Sequence, residues 1–204
     1  MCLIILGELL DRQNVVLTLV YTPYGRQDRW TSSSEPFSLK TFCSMINLCN
    51  FQIVKVFDPH SYVTCALIDS AVPVPRLNLM HINRWRSEDD LILLSPDAGA
   101  MKENNVIAKY LKIPHISATK IRDVNTGEIT ETQIHTTLDL HDKKILICDD
   151  ICDGGRTFIE LAKVLKQYNP AEIHLHVSYG IFSQGIEVLQ PYFTSITAIN
   201  TRSA

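Results

Sequence analysis

Two adjacent carboxylates, Asp149 and Asp150, close an apolar run and are followed by Asp153, the glycine pair Gly154 and Gly155, then Arg156 and Thr157. Residues 145–148, Ile-Leu-Ile-Cys, have the length and composition of a strand buried on both faces. Thr157 and Glu160 have capping-box spacing, which predicts a helix from there to about Tyr168 with Phe158, Leu161, Ala162 and Leu165 as its apolar stripe. A short loop joining such a strand to such a helix gathers backbone N–H groups at a helix N-terminus, where anions bind. The two carboxylates beside it are acceptors suited to vicinal hydroxyls. Phosphate donors next to diol acceptors predict a site for a ribose 5-phosphate. The plainer alternative is an α/β crossover with acidic residues at a strand end.

Further polar clusters follow other apolar runs. Residues 15–20 read as a buried strand, with the tail of a helix at residues 9–13 before it, and they lead into Tyr24-Gly25-Arg26-Gln27-Asp28-Arg29. A helix starting at Ser34 or Glu35 with Pro36 is predicted to bury Leu39, Phe42, Cys43, Ile46 and Cys49. The strand at residues 53–57 ends in Asp58-Pro59-His60-Ser61, and a less regular stretch containing Pro73 and Pro75 follows. Residues 91–94 form a buried strand before Ser95-Pro96-Asp97-Ala98-Gly99-Ala100, then comes a helix of about ten residues. Residues 114–118 read as a strand, and 119–138 as a polar segment with a turn at Asn125-Thr126-Gly127. After the central strand and helix come a strand at 173–177, a turn and short helix at 180–189, and a last strand at 194–199. His174 and His176 alternate with apolar residues, as histidines on a sheet face do. Strands alternating with helices predict an α/β fold of two mostly parallel-sheet βα halves, residues 1–85 and 86–204. The polar clusters fall at the carboxyl ends of the strands, where such sheets bind ligands, and this predicts one shared site.

The segment around Asp149 to Thr157 resembles the phosphoribosyl signature of type I phosphoribosyltransferases and ribose-phosphate pyrophosphokinases. That resemblance implies that Asp149 and Asp150 hold the ribose hydroxyls while Asp153, Gly154, Gly155, Arg156 and Thr157 wrap the 5-phosphate. Three motifs narrow it to the pyrophosphokinases. Tyr24 to Arg29 resembles their Tyr-x-Arg-Gln-Asp-Arg segment, which makes Arg26, Gln27, Asp28 and Arg29 ATP-binding residues. Asp58-Pro59-His60-Ser61 is similar to their Asp-Leu-His segment, with His60 at the metal and the ATP phosphates. Residues 95–102 are similar to Ser-Pro-Asp-Ala-Gly-Gly-x-Lys, which implies Asp97 as a Mg²⁺ ligand and Ala98, Gly99 and Lys102 in a diphosphate loop. Lys120 and Arg122 match a Lys-x-Arg pair on a mobile loop, closing over ATP to offset charge on the transferring group and on AMP.

The implied activity is Mg²⁺-dependent transfer of the β,γ-diphosphate of ATP to the anomeric hydroxyl of ribose 5-phosphate, giving phosphoribosyl pyrophosphate and AMP, in a homo-oligomer. Mg²⁺ prefers oxygen ligands and keeps waters, so one carboxylate with ATP phosphates is a sensible anchor; His60, less natural for a hard ion, stays open both as a metal ligand and as a partner of phosphate or metal-bound water. The sequence departs from the family at Arg156, which stands where the loop usually has glycine. Either the loop is altered around the same ligand, or the guanidinium suits an acceptor with more negative charge at its 5-position, such as ADP-ribose, and ribose 5-phosphate is the expected acceptor of the two. Tyr179 replaces the histidine of the family's Thr-His-Gly segment. The family's upstream Asp-Gly-Glu segment has no counterpart, so the chain is expected to be a fragment, a reduced homologue, or a relative that holds the nucleotide differently. A phosphoribosyltransferase and a non-catalytic regulatory homologue are the competing readings. The first has no need of Arg26-Gln27-Asp28, and the second no need of Asp97, Lys120 and Arg122 together.

Bulk properties set outer limits. With 46% hydrophobic residues, mean hydropathy +0.04 and a net charge of −3, the 204-residue chain has the profile of a globular protein without an electrostatic footprint for nucleic acid or anionic membrane. No apolar run approaches the roughly 18 residues of a membrane span, and residues 1–6 lack the basic flank and cleavage site of a leader. Cys2, Cys43, Cys49, Cys65, Cys148 and Cys152 form no Cys-x-x-Cys pair, which predicts buried, reduced thiols and a cytoplasmic setting. Cys148 and Cys152, flanking the acidic pair, are expected to be open to thiol reagents.

Overall fold

The computed structural model describes residues 15–32, 34–86, 89–122 and 129–201, so the helix tail predicted at residues 9–13 lies outside them, as do Cys2 and the Asn125-Thr126-Gly127 turn. The chain divides into two compact units, Met1–Leu79 and Met80–Ala204. Each has its own sheet.

In the first unit β1 (Val16–Leu19), β2 (Ile53–Phe57) and β3 (Ala71–Val74) lie parallel in that order. The strand predicted at 53–57 is β2, residue for residue. Helix α1 (Ser38–Leu48) crosses from β1 to β2 and buries Leu39, Phe42, Cys43 and Ile46 against Leu19, Val54 and Val56. It begins later than predicted, with Phe37 as its N-cap and no side-chain capping hydrogen bond. β1 is less buried than its apolar run suggests, with Val16 and Val20 exposed. The stretch read as irregular contains helix α2 (Val63–Leu67), strand β3 and helix α3 (Arg76–Leu79). Pro73 is tolerated within β3 because this is an edge strand. The carbonyls of Ser70 and Val74 accept from Val54 and Asp58, which leaves the Pro73 nitrogen on the open side.

The second unit is a six-stranded sheet in the order β6-β5-β4-β7-β8-β9, made of β4 (Leu91–Ser95), β5 (His115–Arg122), β6 (Ile129–His135), β7 (Lys144–Cys152), β8 (Glu172–Gly180) and β9 (Ser195–Thr201). All neighbours are parallel except β5 and β6. Helix α4 (Met101–Leu111) joins β4 to β5, and α5 (Arg156–Lys166) joins β7 to β8. Ile145, Leu146, Ile147 and Cys148 have no exposed surface, as a strand covered on both faces requires. On one face Ile145 and Ile147 meet Phe158, Leu161, Ala162 and Leu165 of α5.

Two expectations change here. β7 runs on to Cys152, paired with Gly180, so the strand is longer than the expected 145–148 and includes Asp149 and Asp150. The polar segment 119–138 is largely strand: β5 continues to Arg122 and pairs with β6. Lys120 and Arg122 therefore lie on a β-ribbon and not on a loop. Among the described residues no helix is long and apolar enough to cross a membrane.

From β4 the chain passes through α4 to β5 on one side, whereas β7, on the other side of β4, leads through α5 to β8. The direction of winding reverses between β4 and β7, and a crevice opens at such a switch point beyond the carboxyl ends of the strands.

Candidate functional site

The segments that follow β4 and β7 flank that crevice. Asp149, half-buried, accepts the Asp150 amide on its Oδ1 at 2.9 Å, which orients the carboxylate, and Asp150 is 9% exposed. Beyond Cys152 the chain turns through Asp153 and Gly154 to Gly155, whose left-handed backbone (φ 78°) caps α5. The Gly155 carbonyl accepts the amides of Phe158 and Ile159, both at 3.0 Å. Thr157 is thus not the N-cap and no side chain caps the helix, because the left-handed glycine turns the chain sharply enough for its own carbonyl to open the helix. Arg156 is the first helical residue and is exposed, while Thr157 is half-buried. The amides of Arg156 and Thr157 are among those that an α-helix leaves without an intrahelical carbonyl.

The segment after β8 backs the loop. Ile181 and Phe182 donate to the Cys152 carbonyl at 2.8 and 3.2 Å, and Ser183 and Gln184 lie beside Gly154. Ile181, Phe182, Ser183 and Gln184 thereby support this turn. A Cβ on Gly155 would sit 2.8 Å from Leu189 Cδ2, on a backbone that L-residues disfavour. Gly155→Ala is therefore expected to cost about 1–3 kcal/mol of stability and to weaken ribose 5-phosphate binding. The check is a urea titration beside calorimetry, with Leu189→Ala added to relieve the clash but not the backbone strain. Affinity and stability equal to the parent protein's would refute it.

Cys148 and Cys152 have no exposed surface. Burial, then the charges of Asp149 and Asp153, push the Cys152 thiol up to about 12. It stays protonated and unreactive near neutrality, contrary to the expectation of thiol-reagent access. The other described cysteines are also free thiols. His174 and His176 behave as sheet-face residues, their Nδ1 atoms 2.8 and 2.9 Å from Ser195 Oγ and Thr197 Oγ1 on β9.

On the β4 side the half-buried Asp97 accepts the Ala100 amide on Oδ1 at 3.3 Å and so holds the turn into α4. Ala98 and Gly99 are exposed on this turn, and Lys102 is exposed in the first turn of the helix. Ser95 with Ser117 is the last pair joining β4 to β5. Lys120 and Arg122 lie three and five residues further along β5, roughly 10 and 17 Å along the strand. The pairing with β6 shifts register between Ile121 and Arg122.

In the first unit the segments after β1 and β2 meet. A Cβ on Gly25 would be 3.7 Å from His60 Cβ, and Ser61 hydrogen-bonds the Asp28 carboxylate. Partial burial pushes that carboxyl up, but Ser61 and the Arg29 guanidinium, with Nε 3.1 Å from Asp28 Oδ1, outweigh it and hold the group below its ordinary value. Turns from Gly25 to the Thr22 carbonyl and from Gln27 to that of Tyr24 shape the loop, and Leu39 N donating to the Gln27 carbonyl ties it to α1. Arg26, Gln27, Arg29 and His60 are exposed. Asp58, the first residue of the motif that carries His60, is buried in an ion pair with Arg76 Nε at 2.7 Å. Sequence reasoning missed Arg76; the signal was an arginine in an otherwise apolar stretch, Ala71 to Leu77.

The phosphoribosyl transferase domain family matches residues 77–201. The chain belongs to that family. The match takes in the whole six-stranded sheet and both sides of its crevice. The wider alignments reach the first unit too. A ribose-phosphate pyrophosphokinase of Mycoplasma genitalium is 30% identical over 180 residues, 86% of this chain and 53% of that protein. One from Thermococcus kodakarensis is 26% identical over 205 residues, 98% of this chain and 71% of that protein. The chain spans about half the length of the first curated relatives it matches. A crystal structure of phosphoribosylpyrophosphate synthetase from Mycobacterium smegmatis shares the fold with a TM-score of 0.72 at 17% identity, covering 97% of this chain and 72% of that one. The phosphoribosyltransferase-type α/β architecture is thus the fold of this family member.

Proposed function

We propose that the chain works as a ribose-phosphate diphosphokinase, transferring the β,γ-diphosphate of ATP to ribose 5-phosphate to give phosphoribosyl pyrophosphate and AMP. The observation that carries this reading is the crevice between β4 and β7, where the acidic pair and glycine turn at 149–157 lie beside the Asp97 turn. The names of its relatives, ribose-phosphate pyrophosphokinases, support the same chemistry.

In this mechanism the Asp149 and Asp150 carboxylates accept from the ribose hydroxyls and fix the face that the anomeric oxygen presents. The first-turn amides of α5, with Thr157, hold the 5-phosphate. Arg26, Gln27, Asp28, Arg29 and His60 bind ATP, and the loop Asp97, Ala98, Gly99 and Lys102 receives the diphosphate. The anomeric oxygen attacks the β-phosphorus, its proton leaves to solvent, and the bond to AMP breaks with its electron pair on the AMP oxygen. Lys120 and Arg122 offset the charge that spreads over the transferring group.

Among the described residues no three His, Cys, Asp or Glu side chains are assembled to hold a metal. A single carboxylate such as Asp97 nevertheless fits Mg²⁺, which takes most of its ligands from water and substrate phosphates; bound there, the ion would neutralise phosphate charge. The His60 imidazole suits a phosphate better than a hard cation. The deciding assay is AMP release from ATP and Mg²⁺ with ribose 5-phosphate as acceptor. Activity with ribose 5-phosphate supports the proposal, and no AMP with any ribose phosphate overturns it.

A second reading rests on Arg156, exposed at the first residue of α5 in the phosphate turn. A guanidinium there favours an acceptor with a second phosphate at its 5-position. AMP formed with ADP-ribose but not with ribose 5-phosphate selects this reading.

A further inference from the structure

Helix α4 carries one polar side chain deep in the second unit. Asn104 has no exposed surface, although the residues that share its buried face, Ile107, Ala108 and Leu111, are apolar. A buried amide is costly unless its hydrogens are used. Here Nδ2 donates to Ser95 Oγ at 3.0 Å and to the Cys148 carbonyl at 2.9 Å. Ser95 Oγ lies 2.8 Å from His115 Nε2, which adds β5 to the set.

The places these bonds reach matter more than their number. Ser95 is the last residue of β4 and stands two positions before Asp97. Cys148 stands immediately before Asp149. One amide therefore bridges the two strands on either side of the switch point, at the level where each gives way to residues of the proposed site. The backbone ladder between β4 and β7 is registered only as far as Leu94 with Ile147, so the amide begins where that ladder ends.

We infer that Asn104 is a positioning residue that sets the spacing of the Asp97 turn and the Asp149–Asp150 pair. The inference deepens the diphosphokinase reading and rests on it. Asn104 meets no substrate; it acts through Ser95 and the Cys148 carbonyl. The 149–157 side holds the acceptor and the Asp97 turn receives the diphosphate, each without help from the other, whereas transfer needs both at one distance. Loss of the bridge should therefore appear in turnover and spare binding.

Asn104→Leu keeps the number and branching of the side-chain heavy atoms and removes both donors. Its kcat is expected to fall about 100-fold, the scale of an ångström-sized misplacement, while ribose 5-phosphate affinity measured by calorimetry changes less than about threefold. Backbone amide shifts of the ligand-free protein provide a readout independent of activity. The variant should move amides in both 97–100 and 149–157 and leave Ser195–Thr201 unmoved. Ser95→Ala, which keeps the bond to Cys148, gives a milder version of both effects and serves if the leucine variant fails to fold. Unchanged kcat, a fall in kcat matched by the loss of folded protein, or shifts confined to one of the two segments would overturn the inference. An unsubstituted protein that releases no AMP overturns the diphosphokinase reading instead, and the amide shifts then decide the role of Asn104 alone.

Discussion

Lys120→Ala should lower turnover by about 10²–10³-fold, the loss that follows removal of one preorganised charge-stabilising group, and leave ribose 5-phosphate binding nearly intact. The fold gives the reason for the split. Lys120 lies past the last pair between β4 and β5, on a part of β5 held only by β6, whereas the phosphate turn stands on β7 and α5. The backbone ladder that carries the proposed phosphate turn is built without Lys120, so the thermal midpoint should not move. The check is steady-state AMP production beside calorimetric titration with ribose 5-phosphate, on the same preparation. Turnover equal to the parent protein's would remove the Lys120 and Arg122 pair from the mechanism. A large loss of acceptor affinity would move Lys120 to the ribose-phosphate side.

Arg76→Met is expected to cost about 3–5 kcal/mol, because it strips the guanidinium from a buried carboxylate. The side chains of Asp58 and Arg76 are each only 3% exposed, and their 2.7 Å contact joins the end of β2 to α3. Removing both charges avoids that penalty, so Asp58→Asn with Arg76→Met should recover most of the loss. Asparagine is the right replacement because Asp58 has a positive φ of 37°, which Asn tolerates. Urea midpoints of the parent, the single variant and the double variant make the comparison. A single variant within about 0.5 kcal/mol of the parent would show the pair to be inert. The consequence reaches the proposed nucleotide residues, since Asp58 opens the four-residue motif that sets His60 beside Gly25 and Ser61 against Asp28.

The features legible in the sequence were those with local causes. The stripe Phe158, Leu161, Ala162 and Leu165 is a 3.6-residue pattern, and all four side chains are buried in the core of the second unit. Residues 53–57 alternate as a half-buried strand should, and they form β2. The order of strands and helices implied a mostly parallel α/β fold with its polar clusters at the carboxyl ends, and the family match agrees. The hairpin of β5 and β6 was invisible because Ile129–His135 reads Ile-Thr-Glu-Thr-Gln-Ile-His, without the strict alternation that marks a strand with one covered face. The start of α5 was misread for a related reason. Thr157 and Glu160 have the spacing of a capping box, but the left-handed backbone of Gly155 had already opened the helix.

By itself, then, the sequence determined the strands and helices that carry a clear side-chain period, the apolar faces of those elements, and which polar residues end up near their ends. These depend on side-chain period and on neighbours a few residues apart. Only the tertiary structure decided that Asp58 is held by Arg76, 18 residues away, and that Asn104 bridges Ser95 and Cys148, the latter 44 residues on. A buried ion pair or amide leaves no periodic trace in sequence. Its partners are chosen by the order in which strands stack, and that order is settled by packing the whole sheet at once.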